Sequence, residues 1–192
     1  MPFFGIISIY NTGNNTIAFT KGRFRTMNIQ RITINELAAA FGIFLGIGLV
    51  AFVSKSTDDN LLLAPFGATS VIAFLVPESD FAQPRNIILG YIITSAVGVS
   101  AAFIIGHNWF SYALAVAAAM LVKVLFNAVH PPSAAMPIIL LHSSENGILY
   151  YVLHDVLPGI CLLVLVAVLY NKYVRHLNYP WWTRQKRRRE AV

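Results

Sequence analysis

The sequence predicts an all-α membrane protein: four transmembrane helices plus two proline- and glycine-opened re-entrant half-helices, arranged as two structural repeats. Three observations carry that prediction. Of 192 residues, 57% are hydrophobic and only 11% charged, against roughly 25% charged in ordinary soluble domains. The basic residues sit at the ends: Lys21, Arg23, Arg25 and Arg31 come first, Lys172, Arg175, Arg184 and the run 186–189 come last, and only Lys55, Arg85 and Lys123 lie between. Finally, two apolar segments that open on proline, 64–70 and 130–136, are too short to cross a bilayer. The register that puts Pro65 on Pro131 also puts Gly67 on Ser133 and Ala68 on Ala134, and it brings the apolar stretch 87–106 over 150–171. Interrupted hydrophobic segments at matching places in two halves point to a transporter's binding site.

Residues 1–33 read as a basic N-terminal tail with no acidic residue. No basic region leads into an apolar core there, so it does not read as a signal peptide. A transit peptide and a start at Met27 stay open. The transmembrane domain covers 34–172, with repeat one at about 34–106 and repeat two at about 109–171. Its four long stretches, Ile34–Ser54, Ile87–Gly106, Trp109–Val129 and Tyr150–Asn171, each approach the ~20 residues a spanning helix needs. At 1.5 Å per residue, 61–76 reaches only ~24 Å and 132–142 only ~16 Å, short of a ~30 Å core. Basic tails at both ends place both termini in the cytoplasm. A six-span alternative counts both short segments as crossings. It keeps the tails together and differs in moving loop 77–86 to the inside.

Rows of small residues at helical spacing, Ala38, Gly42 and Gly46, then Gly98, Ala102 and Gly106, let helices approach closely in lipid. They suit packing within one protomer or between protomers of a homo-oligomer. The tail 173–192 is basic and aromatic-anchored: Tyr179, Trp181 and Trp182 read as an interfacial anchor, followed by Arg184 and the run 186–189, which anionic lipid headgroups attract. Basic tails beside apolar spans argue against a nucleic-acid binder, whose positive charge lines a folded face. The single Cys161 offers no disulfide.

The two short segments suit an anion. Proline is at home in a helix's first turn, and the residue before it is pushed to an extended conformation. Pro65, and Pro131 with Pro132, therefore each open a half-helix. The N–H groups of Phe66, Gly67 and Ala68, and of Ser133, Ala134 and Ala135, are expected to point into the site, with Thr69 beside them. Helix N-termini carry partial positive charge and bind anions. Lys123, Asn127 and His130 are spaced to share one helix face. A lysine inside a span usually marks an ion pathway or a paired interior site, although one this close to the end of its span can also snorkel. His130 is placed to exchange protons with a weak-acid anion, or simply to cap the preceding helix. Gln83, Arg85 and Asn86 form a funnel for incoming anions or an interfacial anchor. Asp155 is placed to pair with Lys123 or Arg85, or to favour its own helix N-terminus. The histidines are scattered, so no metal or cofactor is expected.

Three ordered blocks, His130-Pro131-Pro132, Pro65-Phe66-Gly67-Ala68-Thr69 and Gln83-Pro84-Arg85-Asn86, make the chain similar to the HPP family of small integral membrane proteins over about 34–172. The resemblance implies a bundle with four transmembrane helices, and a bacterial inner or plastid membrane as its place. Some plant chloroplast and cyanobacterial members are described as nitrite transporters, so the resemblance implies nitrite as the solute. Others carry an added cytosolic regulatory domain. The chain departs from the family in reading Leu89-Gly90-Tyr91 where Gly-Gly-His is expected, which removes a polar group. Passage of another small weak acid or neutral solute is the second reading. An intramembrane enzyme is the third: Ser133 lies three residues from His130 with no orienting acid and no nucleophile motif, so no catalytic residue is expected.

Overall fold

The computed structural model describes residues 31–143 and 147–180. The chain divides into two compact units, 1–33 and 34–192, and every element below belongs to the second. The readings of the N-terminal tail through residue 30 and of Trp181, Trp182 and the basic run lie outside the described residues.

All regular structure among the described residues is helical. We label the helices α1 (Ile34–Thr57), α2 (Ala64–Leu75), α3 (Pro84–Ile104), α4 (Trp109–Leu125), α5 (Met136–His142) and α6 (Ile148–Val174). A 3-10 turn, Pro131–Ala135, leads directly into α5, and α6 carries π-helical turns at Val152–Val156 and Tyr170–Val174. Three helices, α1, α3 and α6, are long and apolar enough to cross a membrane. The predicted third span, 109–129, is cut short. α4 stops at Leu125 after 17 residues because Asn127 takes a left-handed conformation (φ 48°) and the backbone then turns extended before Pro131.

Local sequence accounts for these boundaries. Asn108 caps α4, accepting from the N–H groups of Phe110 and Ser111 while the Ser111 hydroxyl accepts from the Asn108 N–H. Gly106, at φ 82°, ends α3; it terminates a helix rather than packing one. The other predicted small residues pack inside the protomer. A Cβ on Gly42 would meet the rings of Phe74 and Tyr170, one on Gly46 would meet Leu163 and Phe74, and one on Gly98 would meet Pro137 and Leu140.

The direction of the short segments differs from a re-entrant hairpin, which returns to the end it left. Call the end of the bundle where α1 begins the near end. There Tyr170 of α6 donates to the Ala38 carbonyl at 2.8 Å, while at the far end the Asn60 N–H donates to Asp155 of α6 at 3.0 Å. α2 starts beside Gly159, well inside α6, and finishes at the near end. Asn171 donates to the Ala73 carbonyl at 3.0 Å there, and Arg175 donates to that of Phe74. The extended linker 58–63 and α2 thus complete a single traverse. The second short segment does the same in the opposite sense. It begins beside Gly90 of α3 and ends at the far end, where His107 and Tyr112 bond the Leu141 carbonyl.

The two repeats share a burial pattern. At the separation that takes Gly90 to Gly159, the buried stripe of α3 falls on that of α6: Ile87 on Val156, Tyr91 on Ile160, Ser95 on Val164, Gly98 on Ala167. The same separation puts Gly42, Gly46, Val50 and Ser54 of α1 on Ser111, Ala115, Ala119 and Lys123 of α4. Each repeat's third helix packs against the other repeat's first two: α3 on α4 and α5, α6 on α1 and α2. Large apolar side chains, among them Phe44, Phe52, Leu121 and Leu125, face outward, as a lipid-facing surface requires.

Candidate functional site

The break before the second short helix and the flank of α2 meet at one buried polar cluster. His130, the last residue before the Pro-Pro turn, is wholly buried. Its Nδ1 lies 2.7 Å from the Phe81 carbonyl and its Nε2 lies 2.9 Å from Thr69 Oγ1 of α2. Thr69 Oγ1 in turn lies 2.9 Å from the hydroxyl of Tyr91 on α3. A carbonyl only accepts, so Nδ1 carries a proton, and in the neutral ring Nε2 is then an acceptor. The chain of donors then runs one way, Tyr91 to Thr69 to His130, and Nδ1–H ends it on Phe81.

Lys123 reaches the cluster from α4. Only 2% of it is exposed, and its ammonium donates to the His130 carbonyl and the Ser133 hydroxyl, both at 3.2 Å. Ser133 also donates to the His130 carbonyl at 2.8 Å. An ammonium has three donors, and two have partners among the described residues. No carboxylate is among those partners. Asp155, one expected partner, instead accepts from Asn60. Nor does Lys123 snorkel: it points into the protein. The close approach of α3 makes room for all this, since a Cβ on Gly90 would lie 2.9 Å from His130 Cβ and 3.1 Å from Ser133 Oγ.

Several predicted members sit elsewhere. Asn127 does not share a helix face with Lys123 and His130, because α4 ends before it; it is exposed, and its carbonyl accepts from Arg85 at 2.8 Å. Phe66 offers no free N–H, which donates to the Leu63 carbonyl at 2.9 Å; its ring instead meets Tyr91 edge-on at 5.5 Å. Gly67 and Ala68 face outward, with nothing within 4 Å of a Cβ on Gly67. Pro131 and Pro132 bring no N–H groups at all, so the second mouth owes its positive character to Lys123 more than to backbone donors. Ala134 and Ala135 are half-buried behind Ser133, and Pro65 is buried at the start of α2.

The predicted funnel is a set of backbone ties. Gln83 is buried and donates to the carbonyls of Pro77 and Ser79; Asn86 donates to that of Asp80; Arg85 holds the carbonyls of Phe126 and Asn127 at the end of α4. Tyr179 is no interfacial anchor. It is buried, donates to the Ala82 carbonyl at 2.6 Å, and burial pushes its phenol above the ordinary tyrosine range.

Tyr91 is the site residue that sequence reasoning missed. Its hydroxyl stands in the network, so the departure from Gly-Gly-His exchanges one polar group for another. The signal available was a tyrosine at a position one turn before the hydroxyls of Thr94 and Ser95 on an apolar helix. The Ser95 hydroxyl is itself buried without a hydrogen-bond partner in the described structure. No group of three or more metal-ligating side chains is found among the described residues.

The comparisons with known proteins agree on the class. The HPP transmembrane region matches residues 29–180. A transmembrane protein of Dictyostelium discoideum is 32% identical over 163 residues, 81% of this chain and 52% of that protein. A second from the same organism is 30% identical over 151 residues, 72% and 53% of the two chains. The chain thus spans about half the length of the curated relatives it matches. No solved structure matches it. With the family match covering most of the chain and both relatives named as transmembrane proteins, this is an integral membrane protein belonging to the HPP transmembrane family.

Proposed function

We propose that the protein carries a small anion across its membrane, with nitrite the solute to test first on the family resemblance. One observation carries the reading: Lys123, a buried ammonium bonded to a carbonyl and a hydroxyl rather than to a carboxylate, stands at the break before the second short helix. A buried charge without a compensating partner is costly, and a monovalent anion at that place supplies the missing charge. Thr69, His130 and Ser133 line the place with polar groups, and the third N–H of Lys123 is the donor left for a small oxyanion. A neutral solute or an enzymatic role would leave the lysine uncompensated.

The alternating directions of α1, α2, α3, α4, the 131–142 segment and α6 support six passes related as an inverted repeat, with both ends of the bundle on one side, and the basic tails favour the cytoplasm for that side. In that arrangement loop 77–83 is cytoplasmic. A Ser79→Cys substitution in a Cys161→Ala background is then protected from an impermeant thiol reagent in intact cells, and labelled once the membrane is opened. Labelling of intact cells would restore the four-span reading.

Transport is tested by nitrite influx into proteoliposomes, with nitrate and formate as competitors. Influx well above empty liposomes, lost in Lys123→Met, supports the proposal. Inserted, folded protein with no flux of any of the three anions would overturn it.

A further inference from the structure

The direction of the hydrogen-bond chain carries a consequence for what moves with the anion. With neutral His130, every donor is used: Tyr91 O–H to Thr69 Oγ1, Thr69 O–H to His130 Nε2, His130 Nδ1–H to the Phe81 carbonyl. Adding a proton to Nε2 turns that atom from acceptor to donor. Thr69 Oγ1 must then accept from the imidazolium; having two lone pairs, it either goes on accepting from Tyr91 with its own hydrogen freed, or turns that hydrogen toward the Tyr91 oxygen and frees the Tyr91 O–H. In either arrangement one O–H of the pair loses the acceptor it had, and both side chains are wholly buried. One proton taken up by His130 therefore releases one buried hydroxyl donor beside the imidazole, on Thr69 or on Tyr91.

The groups facing His130 make a proton alone unfavourable there. From α4 comes the Lys123 ammonium; from α3, Tyr91; from α2, Thr69; from the 80–82 turn, the Phe81 carbonyl; from its own segment, Ser133. None is an anion, and a second cation beside Lys123 adds repulsion in a site shut off from water. An oxyanion reverses both penalties at once. It offsets the second positive charge and accepts the hydroxyl hydrogen just freed.

We propose that proton and anion enter this site together: His130 Nε2 takes the proton, and a hydroxyl of the Thr69–Tyr91 pair becomes an anion-binding donor only when it has done so. The inference rests on the anion reading above and deepens it. It makes Tyr91 and Thr69 the coupling elements and makes the translocated unit electroneutral, one proton per monovalent oxyanion. Binding linkage is reciprocal, so proton and anion raise each other's affinity by the same factor.

The experiment is nitrite influx into proteoliposomes with the external pH lowered from 7.5 to 5.5 at fixed internal pH. The external nitrite anion concentration is held constant, and empty liposomes give the blank for nitrous acid crossing the lipid unaided. Protein-dependent influx is expected to rise about tenfold per pH unit while His130 remains mostly neutral, as one linked proton requires. In His130→Gln, which keeps a polar side chain but has no ring to protonate, the rise is expected to fall below about twofold per unit. Influx that does not respond to pH overturns the coupling while leaving anion passage standing. Absence of any influx overturns both. A readout independent of any variant's folding is the nitrogen NMR spectrum of the wild-type protein with labelled histidine, His130 being assigned by its loss in His130→Gln. A neutral ring protonated on Nδ1 at pH 8 is expected; protonation on Nε2 reverses the donor chain and overturns the proposal.

Discussion

The two chain breaks are built on one plan and filled differently. Each is a short linker followed by a proline-opened helix, and each is approached by a glycine of the opposite repeat, Gly159 at the first break and Gly90 at the second. Each linker is also pinned by a side chain near the start of that same opposing helix. Asp155 accepts from the Asn60 N–H at the first, and Arg85 donates to the Phe126 and Asn127 carbonyls at the second. Around the first break the lining is apolar: Leu61, Leu63, Phe66 and Ile160 are buried, and the counterpart of Lys123 is Ser54, which accepts from the Leu61 N–H at 3.1 Å. Around the second stand Lys123, His130, Ser133 and Tyr91, with Thr69 reaching over from the first. What the two share is scaffold; what differs between them is chemistry.

The largest effect is expected from removing that difference. Lys123→Ser installs the residue of the other break, which keeps a hydrogen-bonding group and deletes the charge. Nitrite influx should drop to the level of empty liposomes while the protein still elutes as a folded species. Retained influx would mean that the asymmetry between the breaks has no transport role.

The shared scaffold is tested at its glycines. Gly159→Ala puts a methyl 2.5 Å from the Leu61 carbonyl oxygen and 2.8 Å from the Phe66 ring, and backbone cannot step aside easily. A loss of about 1–3 kcal/mol or more is expected, read as a fall in the thermal midpoint in detergent. Gly90→Ala meets side-chain atoms at 2.9 and 3.1 Å, which can shift. Its loss should be the smaller of the two, and the reverse order would break the equivalence drawn between the positions. Asp155→Ala removes the acceptor of the Asn60 N–H, on an exposed residue that water can reach, at a cost of about 0.5–1.5 kcal/mol. The smallest effect is at Gly67, where a Cβ meets open space; Gly67→Ala should raise the midpoint slightly, by up to about 1 kcal/mol of helix propensity.

Much of this plan was legible in the sequence, for physical reasons. Proline constrains its own backbone and that of its predecessor wherever it occurs, so the breaks at Pro65 and Pro131 could be read without knowing any neighbour. Lys123 stood out because charge is rare inside an apolar run. The residues that went astray depended on partners far along the chain. A face shared by Lys123, Asn127 and His130 assumed that α4 continues, whereas Asn127 turns left-handed. Gly67 looked like a place for a ligand and faces outward. Tyr91 could be assigned only once α2 and the 130–133 turn had been brought beside it. The overlay of the prolines also held only for the short segments. The flanking helices match at a slightly larger separation, that of Gly90 and Gly159, because the linkers between them differ in length.

The brevity of α4 has an effect outside the site. Its 17 residues span ~26 Å against ~36 Å for the 24 residues of α1, so the two flanks present unequal hydrophobic heights to a ~30 Å hydrocarbon layer. The tall flank can lean to fit; the low one draws the leaflets together beside it. Such mismatch costs fractions of a kcal/mol per Å, enough to bias where the molecule resides. Reconstitution in shorter-chain lipids should favour its native arrangement, and thick, sterol-rich bilayers should disfavour it.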